Sequence, residues 1–265
     1  RQETSDVLMT MAQSDEGPSG ETWKLRINAT RLDNGLSDVE NLAGVDSRAS
    51  EGMDRFDVTE PPLFGEKTLS LSFPSQEGNL THDVRPLNDD GYIWNFKVAT
   101  PDQKAKVLIS FEGANTIASS IFLVDLDTKM PHRIKNESNL EINTLKGERN
   151  FRLIVGSLEF AEKHSAGIDL VPKEFALYQN YPNPFNPETM IRYSLPASSI
   201  TYNVTLKVYN LLGQEVATLV EGQQGTGFYE AKLDGRNLTT GAYFYRIVAA
   251  GGTKESVYSS VKRLM

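Results

Sequence analysis

The chain has 265 residues, 39% of them hydrophobic and 9% aromatic, carries a net charge of −8 and contains no cysteine. The length is enough for two domains and the composition is that of a folded chain, while no apolar run approaches the roughly 18 residues of a spanning helix. Disulfides, thiolate metal sites and thiol nucleophiles are excluded, and the acidic balance is a poor footprint for a nucleic-acid binder, which neutralises phosphates with a basic face.

The charge is unevenly spread. From Val171 onward there are 9 basic and 7 acidic residues, against 18 and 28 before it, as expected of two modules with different partners.

Residues 1–20 close in a Ser/Asp/Gly/Pro linker, and before it lies one short apolar patch, Val7, Leu8, Met9 and Met11. Such a segment suits a donor strand that adds itself to a sheet edge of a neighbouring copy, a head-to-tail contact that builds a polymer. A disordered tail is the alternative. No basic start followed by a long apolar core is visible, so the reading is a cytoplasmic protein or one whose signal peptide has been removed.

Strand signals then dominate. Trp23, Leu25 and Ile27 alternate with Lys24 and Arg26; the same period recurs at Leu69, Leu71, Phe73, at Tyr92, Trp94, Phe96, Val98, and at Val107, Ile109, Phe111. Further strands are expected at 121–124, around Leu140 and Ile142, and at Phe151, Leu153, Val155, with turn residues between them. Both tryptophans fall on the apolar side of the alternation and are expected in a core. Residues 36–53 are rich in Asp, Gly and Ser and read as a long loop. This pattern predicts an antiparallel β-sandwich over residues 21–162, a linker at 163–174, and a second sandwich over 175–265. In the second, Gly222, Gly225 and Gly227 read as a hairpin turn between Val220 and Phe228.

Signatures of catalysis are missing. There is no His-Glu-x-x-His, Gly-x-Ser-x-Gly, Walker loop or dinucleotide fingerprint, and His82, His132 and His164 are far apart in the chain. The reading is therefore not an enzyme and without a cofactor, with one weak metal alternative. Asp46, Asp54, Asp57 and Glu60 fall close together in a loop-like stretch, and hard oxygen ligands suit calcium; the bland reading is a solvated acidic loop braced by its own amides. Asp125 and Asp127 read as a turn.

The most informative stretch is Gln179-Asn180-Tyr181-Pro182-Asn183-Pro184-Phe185-Asn186-Pro187. Three prolines remove three backbone donors, so the segment cannot be a central strand and must run along a sheet edge. Its asparagines can close Asx turns, with Tyr181 and Phe185 plugging the end of a core.

This strap, the later Tyr209-Asn210-Leu211-Leu212-Gly213-Gln214-Glu215, and Gly241-Ala242-Tyr243-Phe244-Tyr245-Arg246 together resemble the type A C-terminal sorting domain of type IX secretion substrates. That domain is similar to the immunoglobulin-like domain of the flagellar hook-capping protein. The resemblance implies an immunoglobulin-like second sandwich, contact with the outer-membrane secretion machinery, and a secreted or cell-surface bacterial protein. Residues 41–45, Asp54, Asp57, 60–62, 82–86 and Trp94 resemble, more loosely, a sandwich module that recurs in large secreted bacterial proteins. The expectation is an all-β, non-catalytic surface protein, structural or assembly-forming, such as a filament or surface-layer subunit; the alternative is a carbohydrate- or surface-binding, adhesin-like module.

Overall fold

The computed structural model describes residues 22–61, 69–102, 104–144, 146–197, 201–251 and 257–265. The described residues are all-β apart from one short helix and one helical turn, and the chain divides into two compact units after Leu170.

The N-terminal unit contains β1 (Trp23–Arg31), β2 (Ser37–Val45), β3 (Val58–Thr59), β4 (Ser70–Ser75), β5 (Gly78–Arg85), β6 (Gly91–Ala99), β7 (Lys106–Glu112), β8 (Ser120–Asp125), β9 (Met130–Ile134), β10 (Asn139–Asn143) and β11 (Glu148–Gly156). One face is built in the order β10-β7-β1-β2-β5, with β3 on β5, and the other in the order β4-β6-β11-β8-β9. Strand β4 joins them, pairing with β6 through Ser70–Ser72 and with β5 through Phe73–Ser75.

The alternating residues meet between these faces. Trp23 from β1 packs edge-on against Tyr92 and Trp94 of β6, at ring separations of 5.8 and 5.6 Å, and Phe96 stacks on Phe151 at 5.1 Å. Trp94 is fully buried, yet its indole N–H is not orphaned, because it donates to the carbonyl and the carboxylate of Asp83 at 3.1 and 3.0 Å.

Three expectations change here. Residues 36–53 are not all loop: β2 takes the first part, and its tail, Asn41 to Val45, is buried throughout, so the period-two signal is absent. The pairing is not wholly antiparallel either, since β2 and β5 run parallel over Leu42–Val45 and His82–Arg85, their connection being long enough for a crossover. Finally, Leu158–His164 forms helix α1, capped by the Ser157 hydroxyl, which accepts from Phe160 N. Ala161 and Leu170 are buried with Phe122, Val124 and Ile154 on the outer side of the second sheet. This cover explains why residues 121–124 are continuously apolar: they are buried on both faces. Gly91 and Gly156, paired across β6 and β11, let the Phe160 ring lie against the backbone, where a Cβ on either would come within 2.9 Å of it.

The C-terminal unit consists of a three-stranded sheet, β12 (Ala176–Leu177), β13 (Glu188–Leu195) and β16 (Gly227–Asp234), in sequential order. A four-stranded sheet completes it, β15 (Glu215–Gln224), β14 (Tyr202–Tyr209), β17 (Tyr243–Ala250) and β18 (Val257–Leu264), also in the order named. Ile191, Tyr193, Val204, Leu206, Tyr245 and Ile247 are among the buried residues of the core they share. The stretch around Gly225 is not a hairpin turn, because β15 and β16 belong to different sheets and the chain crosses between them there.

Candidate functional site

The proline strap follows the edge of β13. Tyr178 N donates to Arg192 O, and Tyr181 and Met190 exchange both backbone bonds at 3.0 Å. The bonds preceding Pro182, Pro184 and Pro187 are cis.

Asn180 is the pivot of the strap. It is buried, its backbone N–H donates to the Tyr245 hydroxyl at 2.9 Å, and its amide donates to Pro182 O and Thr189 Oγ1 at 3.1 and 3.0 Å. The Tyr245 hydroxyl in turn donates to Tyr178 O at 2.8 Å. Burial raises the Tyr245 pKa to about 12, against the opposing pull of the Asn180 amide.

The strap also ties down the last strand. Gln179 donates its amide to Arg263 O at 2.7 Å, Phe185 N donates to Met265 O at 2.9 Å, and the Asn183 side-chain oxygen accepts from Met265 N at 3.1 Å. Phe185 packs on the core and Pro187 O accepts from Gly235 N at 2.7 Å, where any Cβ would overlap the Phe185 ring. Tyr181 does not plug the core as expected. It is 78% exposed, because its backbone pairs with Met190 while the buried place is taken by Asn180.

The other two motifs are built as tightly. Asn210 closes the turn after β14: its side-chain oxygen accepts from Leu212 N and Gln214 N, both at 3.0 Å, and its amide donates to Gln214 Oε1 at 2.8 Å. Gly213 supplies the left-handed residue at φ 77°. Ahead of β17, the Tyr243 hydroxyl donates to Thr239 O four residues upstream at 2.7 Å, the arrangement of a tyrosine corner. Arg246 Nε donates to Ser259 Oγ at 3.1 Å on the outer face. Gly241 is exposed with open space around it, so packing gives no reason for glycine there.

These motifs converge on one end of the unit. Tyr209 pairs with Phe244, Phe244 pairs with Arg263, and Arg263 O is held by Gln179. Thr189, Gln214 and Met265 belong to the same end; Gln214 stands within the second motif, and Met265 is the one that sequence reasoning missed. Thr189 lies next to the strap in sequence, but only the fold brings Met265 to it.

In the N-terminal unit the four acidic residues do not gather. Both Asp46 oxygens are taken by the Arg48 guanidinium at 2.8 and 2.9 Å, which with the Arg48 amide holds this carboxyl far below the usual range. Asp54 accepts from Ser50 and Phe56 amides, and Asp57 from Asp54 and Val84 amides, each at 2.7 or 2.8 Å. Glu60 accepts from Ser70 and Asn79 side chains. Among the described residues no three His, Asp or Glu side chains form a set that could hold a metal ion. The carboxylates brace the loop after β2 and the strands beside it. Asp125, expected in a turn, accepts there from the Asp127 and Thr128 amides and also forms a buried ion pair with Arg149. Val7, Leu8, Met9 and Met11 lie outside the described residues.

Residues 179–258 match the family model of the secretion system C-terminal sorting domain. The C-terminal unit carries a type IX sorting domain. Its presence marks the chain as a protein exported by type IX secretion, secreted or held at the cell surface, and implies contact between the sorting domain and the secretion machinery. Among the described residues no helix is long and apolar enough to cross a membrane.

No curated protein matches the chain. Two solved structures are similar at low level. One is dimeric latent PorU from Porphyromonas gingivalis, at 10% identity and TM-score 0.29, covering 92% of this chain and 29% of that one. The other is the glycoside hydrolase domain of Endo-D from Streptococcus pneumoniae, at 10% identity and TM-score 0.23, covering 67% of this chain and 36% of that one. The chain thus spans little more than a third of either at most, and likeness at this level says nothing about activity.

Proposed function

We propose that the protein is a non-catalytic surface component, structural or assembly-forming, whose N-terminal unit is the exported cargo and whose sorting domain offers its motif-bearing end to the outer-membrane machinery. The convergence of the strap, the Asn210 turn and the start of β17 on one end carries this reading, because three stretches distant in sequence share one ordered surface. The tyrosine corner and the sheets of three and four strands support an immunoglobulin-like form for this domain. For the cargo, the support is that its large aromatics are spent on the core and its acidic loop on bracing. Assembly would run through Val7, Leu8, Met9 and Met11 docking on a neighbouring copy.

The test is export and then imaging. In a bacterium with type IX secretion, removing residues 171–265 abolishes surface display, and negative-stain images of the released wild-type protein show polymers that are lost when residues 1–12 are deleted. Display without the sorting domain would sink the export reading, and monodisperse particles would sink the assembly role.

One observation favours the second reading, a binding module. A cleft of about 710 Å³ in the N-terminal unit is lined by Arg85, Asn88, Asp89, Tyr92, Lys163 and His164 among others, a polar set that suits a glycan. Tyr92 stacks on Trp94 at 5.6 Å, so a bound oligosaccharide would change the tryptophan fluorescence. Unchanged emission across a glycan panel would dismiss it.

A further inference from the structure

Leu211 and Leu212 stand at the tip of the turn between β14 and β15, 69% and 84% exposed. Single exposed apolar residues are ordinary. Here two large ones are adjacent on a turn, where polar residues and glycine would serve the backbone as well.

The turn is also held rigid. Besides the three side-chain bonds of Asn210, Asn210 N donates to Gln214 O and Gly213 N donates to Asn210 O, each at 3.0 Å. A pair of leucines presented on a fixed tip loses little freedom on being buried by a partner, which is the condition for an anchor residue. The tip lies at the end where the sorting motifs meet, and its strand is two inter-strand spacings, about 10 Å, from the strand that the strap ties down.

We infer that Leu211 and Leu212 form an apolar plug that inserts into a concave apolar pocket of a protein in the export machinery. This rests on the reading of the C-terminal unit as the part the machinery recognises. The local charge favours a protein pocket over a lipid surface. Insertion into an anionic membrane is helped by free basic residues beside the apolar tip, whereas here the nearest, Lys207, is paired with Glu215 at 3.0 Å, the turn itself continues into Gln214 and Glu215, and the exposed Arg263 stands two strands away. A convex tip of two side chains calls for a pocket rather than a flat face.

The double variant Leu211→Ser/Leu212→Ser tests this in the exported full chain. Its calorimetric transitions are expected to match the wild type, since both side chains face solvent, while surface display falls at least tenfold and protein accumulates in the periplasm. The pair Leu211→Met/Leu212→Met, which keeps apolar bulk, is expected to restore display. If the double serine variant melts early, Leu212→Ser alone, at the more exposed position, carries the same expectation. Removal of residues 171–265 separates the two levels of the argument. Display that survives this removal overturns the sorting reading itself, whereas display lost on removal but normal in the serine variant overturns only the plug. Two further results would overturn it: leucine-dependent flotation of the protein with phosphatidylglycerol vesicles, or a wild-type dimer in light scattering that the serine variant turns into a monomer.

Discussion

Replacing Tyr245 by Phe removes one oxygen and leaves the ring, so no cavity opens in the core. What is lost is a hydroxyl that accepts from Asn180 N at 2.9 Å and donates to Tyr178 O at 2.8 Å. Asn180 is 2% exposed and Tyr245 fully buried, so the Asn180 N–H has no water to turn to. An unsatisfied buried donor costs about 1–3 kcal/mol. Tyr178 is partly exposed, and its carbonyl adds little to that. For a unit of this size each kcal/mol lowers Tm by roughly 4–8 °C. Tyr243→Phe is the control: its hydroxyl donates to the carbonyl of Thr239, an exposed residue, and its loss costs at most about 1 kcal/mol. The chain supplies its own readout. Its 2 tryptophans, Trp23 and Trp94, both lie in the N-terminal unit, so fluorescence follows that unit alone while calorimetry follows both. Tyr245→Phe should lower one calorimetric transition and leave the fluorescence melt unchanged. Equal effects of the two variants, or a shifted fluorescence melt, would refute the assignment of Asn180 and Tyr245 as the pivot.

The remaining expectations are shorter. Burial holds Tyr193 and Tyr245 neutral up to about 12, above the 10.0 of an unfolded tyrosine. The stabilisation is therefore complete below pH 10 and lost as pH rises toward 12, by about 1.4 kcal/mol per pH unit for each tyrosine; calorimetry across this range checks it, and a transition flat to pH 12 contradicts it. Asp125→Asn leaves Arg149, whose side chain is 8% exposed, without its counter-charge. The expected cost is about 3–5 kcal/mol, read as a lower urea midpoint of tryptophan fluorescence; a midpoint within 0.5 kcal/mol of wild type would show the pair to be dispensable. Because Asp46, Asp54, Asp57 and Glu60 already spend their oxygens on local donors, a chelator should leave the N-terminal melt in place, and a lowered Tm would restore the calcium loop.

How much of this was legible depended on whether a residue's role is local. Alternation placed Trp23, Trp94 and Phe151 in the core, because one face of each strand is buried and the other is not. It failed at β2, where Leu42 to Val45 are buried on both sides, and at α1, whose seven residues are too few for a helical period to stand out. In the site, Asn210 and Gly213 could be read as a turn because their partners are within four residues. The exchange of places between Tyr181 and Asn180 could not, since the partner that buries Asn180 is Tyr245, 65 positions away. Composition alone suggests that the aromatic goes in and the amide goes out.

That distance bears on what a partner could recognise. The bonds that fix the strap reach across 65 positions to Tyr245, 82 from Asn183 to Met265 and 84 from Gln179 to Arg263. Closing loops of that length is entropically unfavourable until the strands between them have paired. The strap therefore cannot hold its shape alone: it lacks its pivot without β17 and its ties to Arg263 and Met265 without β18. On the proposed reading, the end offered to the export machinery exists only once the C-terminal unit is folded. Recognition of this end would then discriminate a folded sorting domain from a chain that merely contains the motifs.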